Sequence, residues 1–171
     1  MKSLDLDLFD NIDNYLCKIN IPEGISGNSS TEITTIIILD VSGSMCSSIN
    51  KITNLFLPEL FTNLDYKDKQ QITFITFAND SEIISFDFSK IKKGINIEAN
   101  GGTYMQYALK NLKNFLETYN TNKNVRILAI SDGELFDQEE TVKYSNEVVN
   151  VIKKNNLLVN SQAIRFFTSS S

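Results

Sequence analysis

TTIIIL, at 34–39, is short, β-branched and free of polar alternation, the pattern of a strand covered on both faces, as in a parallel sheet flanked by helices. QITFITFA (71–78) and VRILAI (125–130) repeat it, and LLVNSQAIRFF (157–167) reads as one further strand. EIISFDF (82–88) alternates instead, and follows the polar turn NDS, so it is expected to return antiparallel as a hairpin partner of the strand before it. Between these runs the spacing changes to that of helices. Ile49, Ile52, Leu55, Phe56, Leu60 and Leu64 mark an amphipathic helix that Pro58 should kink or divide. Met105, Ala108, Leu109, Leu112, Phe115, Leu116 and Tyr119 mark a second, whose start is signalled by Thr103 with Gln106 three residues on, a capping box. A third runs through Val142, Val148, Val149 and Ile152.

Strands alternating with helices predict an α/β fold with a doubly wound, mostly parallel sheet and one antiparallel edge strand. Residues 1–30 form a lead-in: an acidic opening with a faint helical pattern, an edge strand at 15–21, and the turn-rich PEGISGNSS. The remainder, 31–171, is one domain. With 171 residues and 42% apolar content the chain can bury one real core but not two comfortable ones.

Charge and composition remove several classes of function. A net charge of −5 with lysines scattered among acids does not suit phosphate neutralisation, so no nucleic-acid partner is expected. No apolar run approaches the roughly 20 residues of a membrane helix, and MKSLDLDLFDN lacks the layout of a signal peptide. An intracellular, cytoplasmic chain is the expectation. Two sequons, at Asn28 and Asn79, are discounted on that ground. Only Cys17 and Cys46 occur, and there is no histidine, which argues against a disulfide framework, a Cys/His zinc site and Ser-His-Asp or Cys-His catalysis.

In doubly wound sheets, ligands bind outside the carboxyl ends of the strands. Three polar clusters fall there: Asp40-Val41-Ser42-Gly43-Ser44 after the first strand, Gly101-Gly102-Thr103 before the second helix, and Ser131-Asp132-Gly133 after VRILAI. Singly, each is also accounted for by a turn or a helix cap. Together they bring two carboxylates and three hydroxyls to one edge of the sheet, all oxygen ligands. That set suits a hard divalent cation, magnesium before manganese or calcium. Gly43, Gly101 and Gly102 would let the backbone come close around an ion, or serve as ordinary turn glycines.

With Asp40, Ser42, Ser44, Thr103 and Asp132 in this order and spacing, and with the wording DVSGSM, residues 31–167 resemble a von Willebrand factor type A domain carrying a metal-ion-dependent adhesion site. The resemblance implies that Ser42, Ser44 and Thr103 reach the metal through hydroxyl oxygens, while Asp40 and Asp132 act directly or through waters. It implies a place left for an Asp or Glu carboxylate of a partner protein. It also implies a closing helix, strand and helix beyond Phe167 that this chain does not contain, so a piece of a longer protein is expected, with its last strand at an exposed sheet edge. Met45, Cys46, Tyr104 and Glu134 are expected to form the rim that sets partner choice, Cys46 itself being a small buried residue beside the site. Two other functions are weighed against the interaction module. One is metal-assisted phosphoryl or ester hydrolysis with Asp40 as nucleophile, for which Ser42 stands where a second acid is needed. The other is a domain whose metal loops only hold the fold.

Overall fold

The structure is a computed structural model that describes residues 3–5, 18–20, 32–118, 123–133 and 135–166. Its main sheet has five strands: β3 (Thr34–Asp40), β4 (Gln71–Phe77), β5 (Ile83–Asp87), β6 (Asn124–Ser131) and β7 (Leu158–Arg165), in the order β5-β4-β3-β6-β7. β3 pairs in parallel with both β4 and β6, β6 in parallel with β7, and β5 closes one edge antiparallel to β4. The predicted hairpin is therefore present. Two short strands, β1 (Ser3–Asp5) and β2 (Lys18–Asn20), pair antiparallel as a separate ribbon. The strand expected at 15–21 thus exists in part, but joins β1 and not the main sheet.

β3 is central and buried from Thr35 to Asp40, which is why its sequence shows no polar alternation. The pleat still sorts its side chains. Ile37 and Leu39 point into one core with Ile72 and Phe74 of β4 and Leu128 and Ile130 of β6, while Ile36 and Ile38 meet Ile75, Phe77, Val125 and Ile127 on the opposite face. The first core is covered by α1 (Ile49–Lys51), α2 (Leu57–Asn63) and α3 (Phe88–Lys93), the second by α4 (Met105–Thr118) and α5 (Gln138–Lys154).

Pro58 divides the first helix as its chemistry requires. A proline cannot donate to the carbonyl four residues back, and the structure answers with a π-helical stretch at Ile52–Phe56, where the Leu57 N–H bonds to the Ile52 carbonyl. Pro58 then sits in the first turn of α2, where a missing donor costs little. Leu55 faces solvent, so the buried stripe is narrower than the spacing suggested.

Two expectations need correction. The run EIISFDF ends as a strand at Asp87, and Phe88 opens α3 with its ring buried under the sheet; six helical residues are too few to show a helical period. In α5 the core-facing residues are Val148 and Val151, whereas Val142 and Val149 are exposed. Tyr119, expected on α4, lies outside the described residues.

Candidate metal centre

β3 ends at Asp40 between the ends of β4 and β6, and the backbone stitches the three following loops together. The Val41 N–H donates to the Phe77 carbonyl at 2.9 Å, and the Val41 carbonyl accepts from the Asn100 N–H at 2.8 Å. Gly43 N–H donates to the Gly101 carbonyl at 2.9 Å, which joins the first loop to the second. Ser131, at the end of β6, donates its hydroxyl to Asp40 Oδ2 at 2.7 Å, joining the first loop to the third. Phe136 N–H donates to the Thr103 carbonyl at 3.0 Å, joining the third to the second.

Asp40 is fully buried, and its Oδ1 accepts the Ser42 N–H at 2.9 Å. Burial raises its pKa above the ordinary value; hydrogen bonds from Ser131 and Ser42 oppose that rise, and the negative charge of Asp132 adds to it. Two carboxylates close enough to repel one another form a place where a positive charge is favourable. Ser42 is buried and Ser44 exposed, and their hydroxyl oxygens lie 3.0 Å apart. Oxygen ligands about 2.1 Å from a magnesium ion lie about 3.0 Å from one another at adjacent octahedral corners, so this pair already has the spacing of two ligands. Thr103 is buried at the second loop. Among the described residues no three His, Cys, Asp or Glu side chains form a metal-holding group; the donors here are hydroxyls around two acids, a set for a hard cation and not for zinc.

The capping box expected at Thr103 is replaced by a longer-range cap. α4 begins at Met105, and its first amides, those of Met105 and Gln106, donate to the two oxygens of Asp137 at 3.1 and 2.8 Å. Asp137 is buried, also accepts the Thr141 hydroxyl at 3.2 Å, and precedes α5. An acid in that position also meets the positive end of the α4 dipole. The sequence Asp-Gln-Glu-Glu at 137–140 signals a helix start, yet nothing local in it reveals that the carboxylate serves a different helix.

The rim differs from expectation. Met45 is completely buried in the first core, because the 3-10 turn Gly43–Met45 swings its side chain inward, and it cannot meet a partner. Cys46 is exposed rather than buried, its thiol donating to the Ala99 carbonyl at 3.1 Å. Glu134 lies outside the described residues. Tyr104 is half-buried and packs edge-on against Phe136, centroids 5.6 Å apart, which is 66% exposed and was not anticipated.

In sequence, Asn79 stands out only as a sequon. Its Oδ1 accepts the Gly102 N–H at 2.8 Å, and a Cβ on Gly101 would come within 2.8 Å of its amide nitrogen. Gly101 also has φ +89°, a region costly for side chains bearing a Cβ. Gly101→Ala is therefore expected to destabilise the fold by about 1–3 kcal/mol, read from urea denaturation midpoints; an unchanged midpoint would contradict the tight loop packing.

The sequence profile of the von Willebrand factor type A domain matches residues 35–134. No curated protein sequence matches the chain. Among solved structures, the manganese-loaded TRAP protein of Plasmodium vivax superposes with a TM-score of 0.55 at 18% identity, over 81% of this chain and 60% of that one. A von Willebrand factor type A protein from Catenulispora acidiphila gives 0.54 at 16% identity, over 80% of this chain and 39% of that one. The chain thus spans less than two thirds of the length of either, and at these identities the likeness is one of fold. A mostly parallel five-stranded sheet with one antiparallel edge, three loops stitched at its carboxyl end, and a profile match across β3 to the loop after β6 lead to one conclusion: the chain belongs to the von Willebrand factor type A domain family.

Proposed function

We propose that this domain is a divalent-cation-dependent protein-interaction module in which Asp40, Ser42, Ser44, Thr103 and Asp132 hold magnesium, with manganese or calcium as alternatives, and a partner protein offers an Asp or Glu carboxylate. The observation that carries this is the Ser42–Ser44 hydroxyl pair, 3.0 Å apart beside a buried Asp40 whose charge the fold leaves under-compensated. A cation bound there would supply positive charge toward the open side of the loops, where an anionic side chain is attracted. Neutral hydroxyls are suited to that use, because they leave more of an ion's charge uncompensated than carboxylates do. The manganese-loaded state of the Plasmodium vivax protein supports a cation in this fold.

A non-catalytic role is part of the same proposal. Asp40 is pinned by Ser42 and Ser131 and buried, and the position two residues on, where hydrolysis through an Asp40 nucleophile would need a second acid to protonate the leaving group, is Ser42. The exposed Phe136, packed on Tyr104, supplies an apolar flank beside the second loop, of the kind that anchors interfaces.

The test is capture of partner proteins by the immobilised domain. Capture in magnesium is expected to be lost with chelator and in Ser44→Ala, a change at an exposed position that should leave the fold intact. Capture that survives chelator contradicts metal dependence. Phosphatase or esterase turnover that requires Asp40 would contradict the non-catalytic role.

A further inference from the structure

The last strand reaches into the third loop in a way the family motif does not contain. Arg165, at the end of β7, donates its Nε–H to the main-chain carbonyl of Asp132 at 2.8 Å. Its neighbour Phe166 donates its N–H to the Ser131 carbonyl at 2.9 Å. On the other side of Asp132, the Gly133 N–H bonds to the Ser131 hydroxyl at 3.0 Å, and that same hydroxyl donates to Asp40. The peptide groups flanking Asp132 are thus fixed from both directions. Gly133 has φ +96°, and a Cβ there would lie 2.5 Å from Arg165 Nε, so the guanidinium is packed directly on the turn.

We propose that Arg165 is a positioning residue for the metal centre: by holding the Asp132 carbonyl it fixes the direction of the Asp132 carboxylate relative to Asp40, and so sets cation affinity without touching the cation. This rests on the metal-site reading above. Neighbours that orient a ligand commonly change metal affinity by about 10–100-fold when removed. Arg165 is exposed, on an edge strand, so its loss should leave the hydrophobic core intact.

Calorimetry of magnesium with the wild type, Arg165→Ala and Arg165→Lys tests this, together with amide exchange at Gly133 in metal-free protein. Arg165→Ala is expected to bind about tenfold more weakly and to exchange faster at Gly133, with an unchanged thermal midpoint in chelator. Arg165→Lys, which keeps a donor of similar reach, is expected to recover part of both. Equal magnesium affinity in wild type and Arg165→Ala overturns the inference while leaving the metal site standing. Weakened affinity with Gly133 exchange unchanged also overturns it, since the loss would then not pass through the turn. No binding by the wild type overturns the metal reading, and the inference with it.

Discussion

Asp40→Asn is expected to have opposite effects with and without magnesium. In chelator the variant should melt higher than the wild type at neutral pH, and in magnesium it should melt lower. The first half follows from the raised pKa of Asp40, whose main cause is burial, with the Asp132 charge adding to it. A carboxyl whose folded pKa lies above its unfolded value contributes stability at acid pH. That contribution is lost as pH rises through the folded pKa, because the unfolded chain gives up its proton first. Above the folded pKa the metal-free fold therefore carries the cost of a buried charge, and Asn removes it. Asn can still accept the Ser42 N–H, and the Ser131 hydroxyl can turn to accept its amide. The second half follows from linkage: a cation at one hundred times its Kd stabilises by about 2.7 kcal/mol, about 5–10 °C for a domain of this size. Asp40→Asn should lose that gain. In the wild type the gain should also shrink on acidification toward the folded pKa of Asp40, as protons compete with the cation. Thermal melts of both proteins across pH, with magnesium and with chelator, measure all of this. A wild type that melts identically in the two conditions would contradict it.

Asp137→Ala is expected to lower stability by about 2–3 kcal/mol, or about 5–10 °C in melting temperature. The residue is buried and accepts from two amides of α4 and from the Thr141 hydroxyl. Truncation would strand those donors and remove a negative charge from the α4 amino terminus. Asp137→Asn should be intermediate, since only one of its two side-chain atoms can accept an amide proton. Melting temperatures in chelator separate these cases. A change within about 0.5 kcal/mol, the size of an ordinary surface substitution, would show that α4 does not depend on this cap.

What could be read in the sequence was whatever depends on short-range pattern. The buried strands β3, β4 and β6, the antiparallel return of β5, and the division of the first helix at Pro58 all follow from runs of a few residues. Asp40, Ser42, Ser44, Thr103 and Asp132 can be nominated as candidate site residues from sequence because they lie at the end of β3 and in loops that a parallel sheet brings to one edge. What escaped depends on contacts between distant segments. Asp137 looks like the start of its own helix and instead caps α4. Met45 sits beside four polar residues in sequence, but a single 3-10 turn is enough to put it in the core. Phe88 continues the alternation of β5 while its backbone has already become helical. The roles of Ser131 and Asn79 as braces on Asp40 and Gly102 require knowing which loops touch.

The central claim is that the three loops form a cation site, and calorimetry of magnesium into chelator-stripped protein tests it most directly. The wild type is expected to bind one equivalent, and Thr103→Ala and Asp132→Ala to bind at least tenfold more weakly while retaining the far-ultraviolet spectrum of the wild type. Absence of binding by the wild type, or equal binding by all three proteins, would contradict the claim.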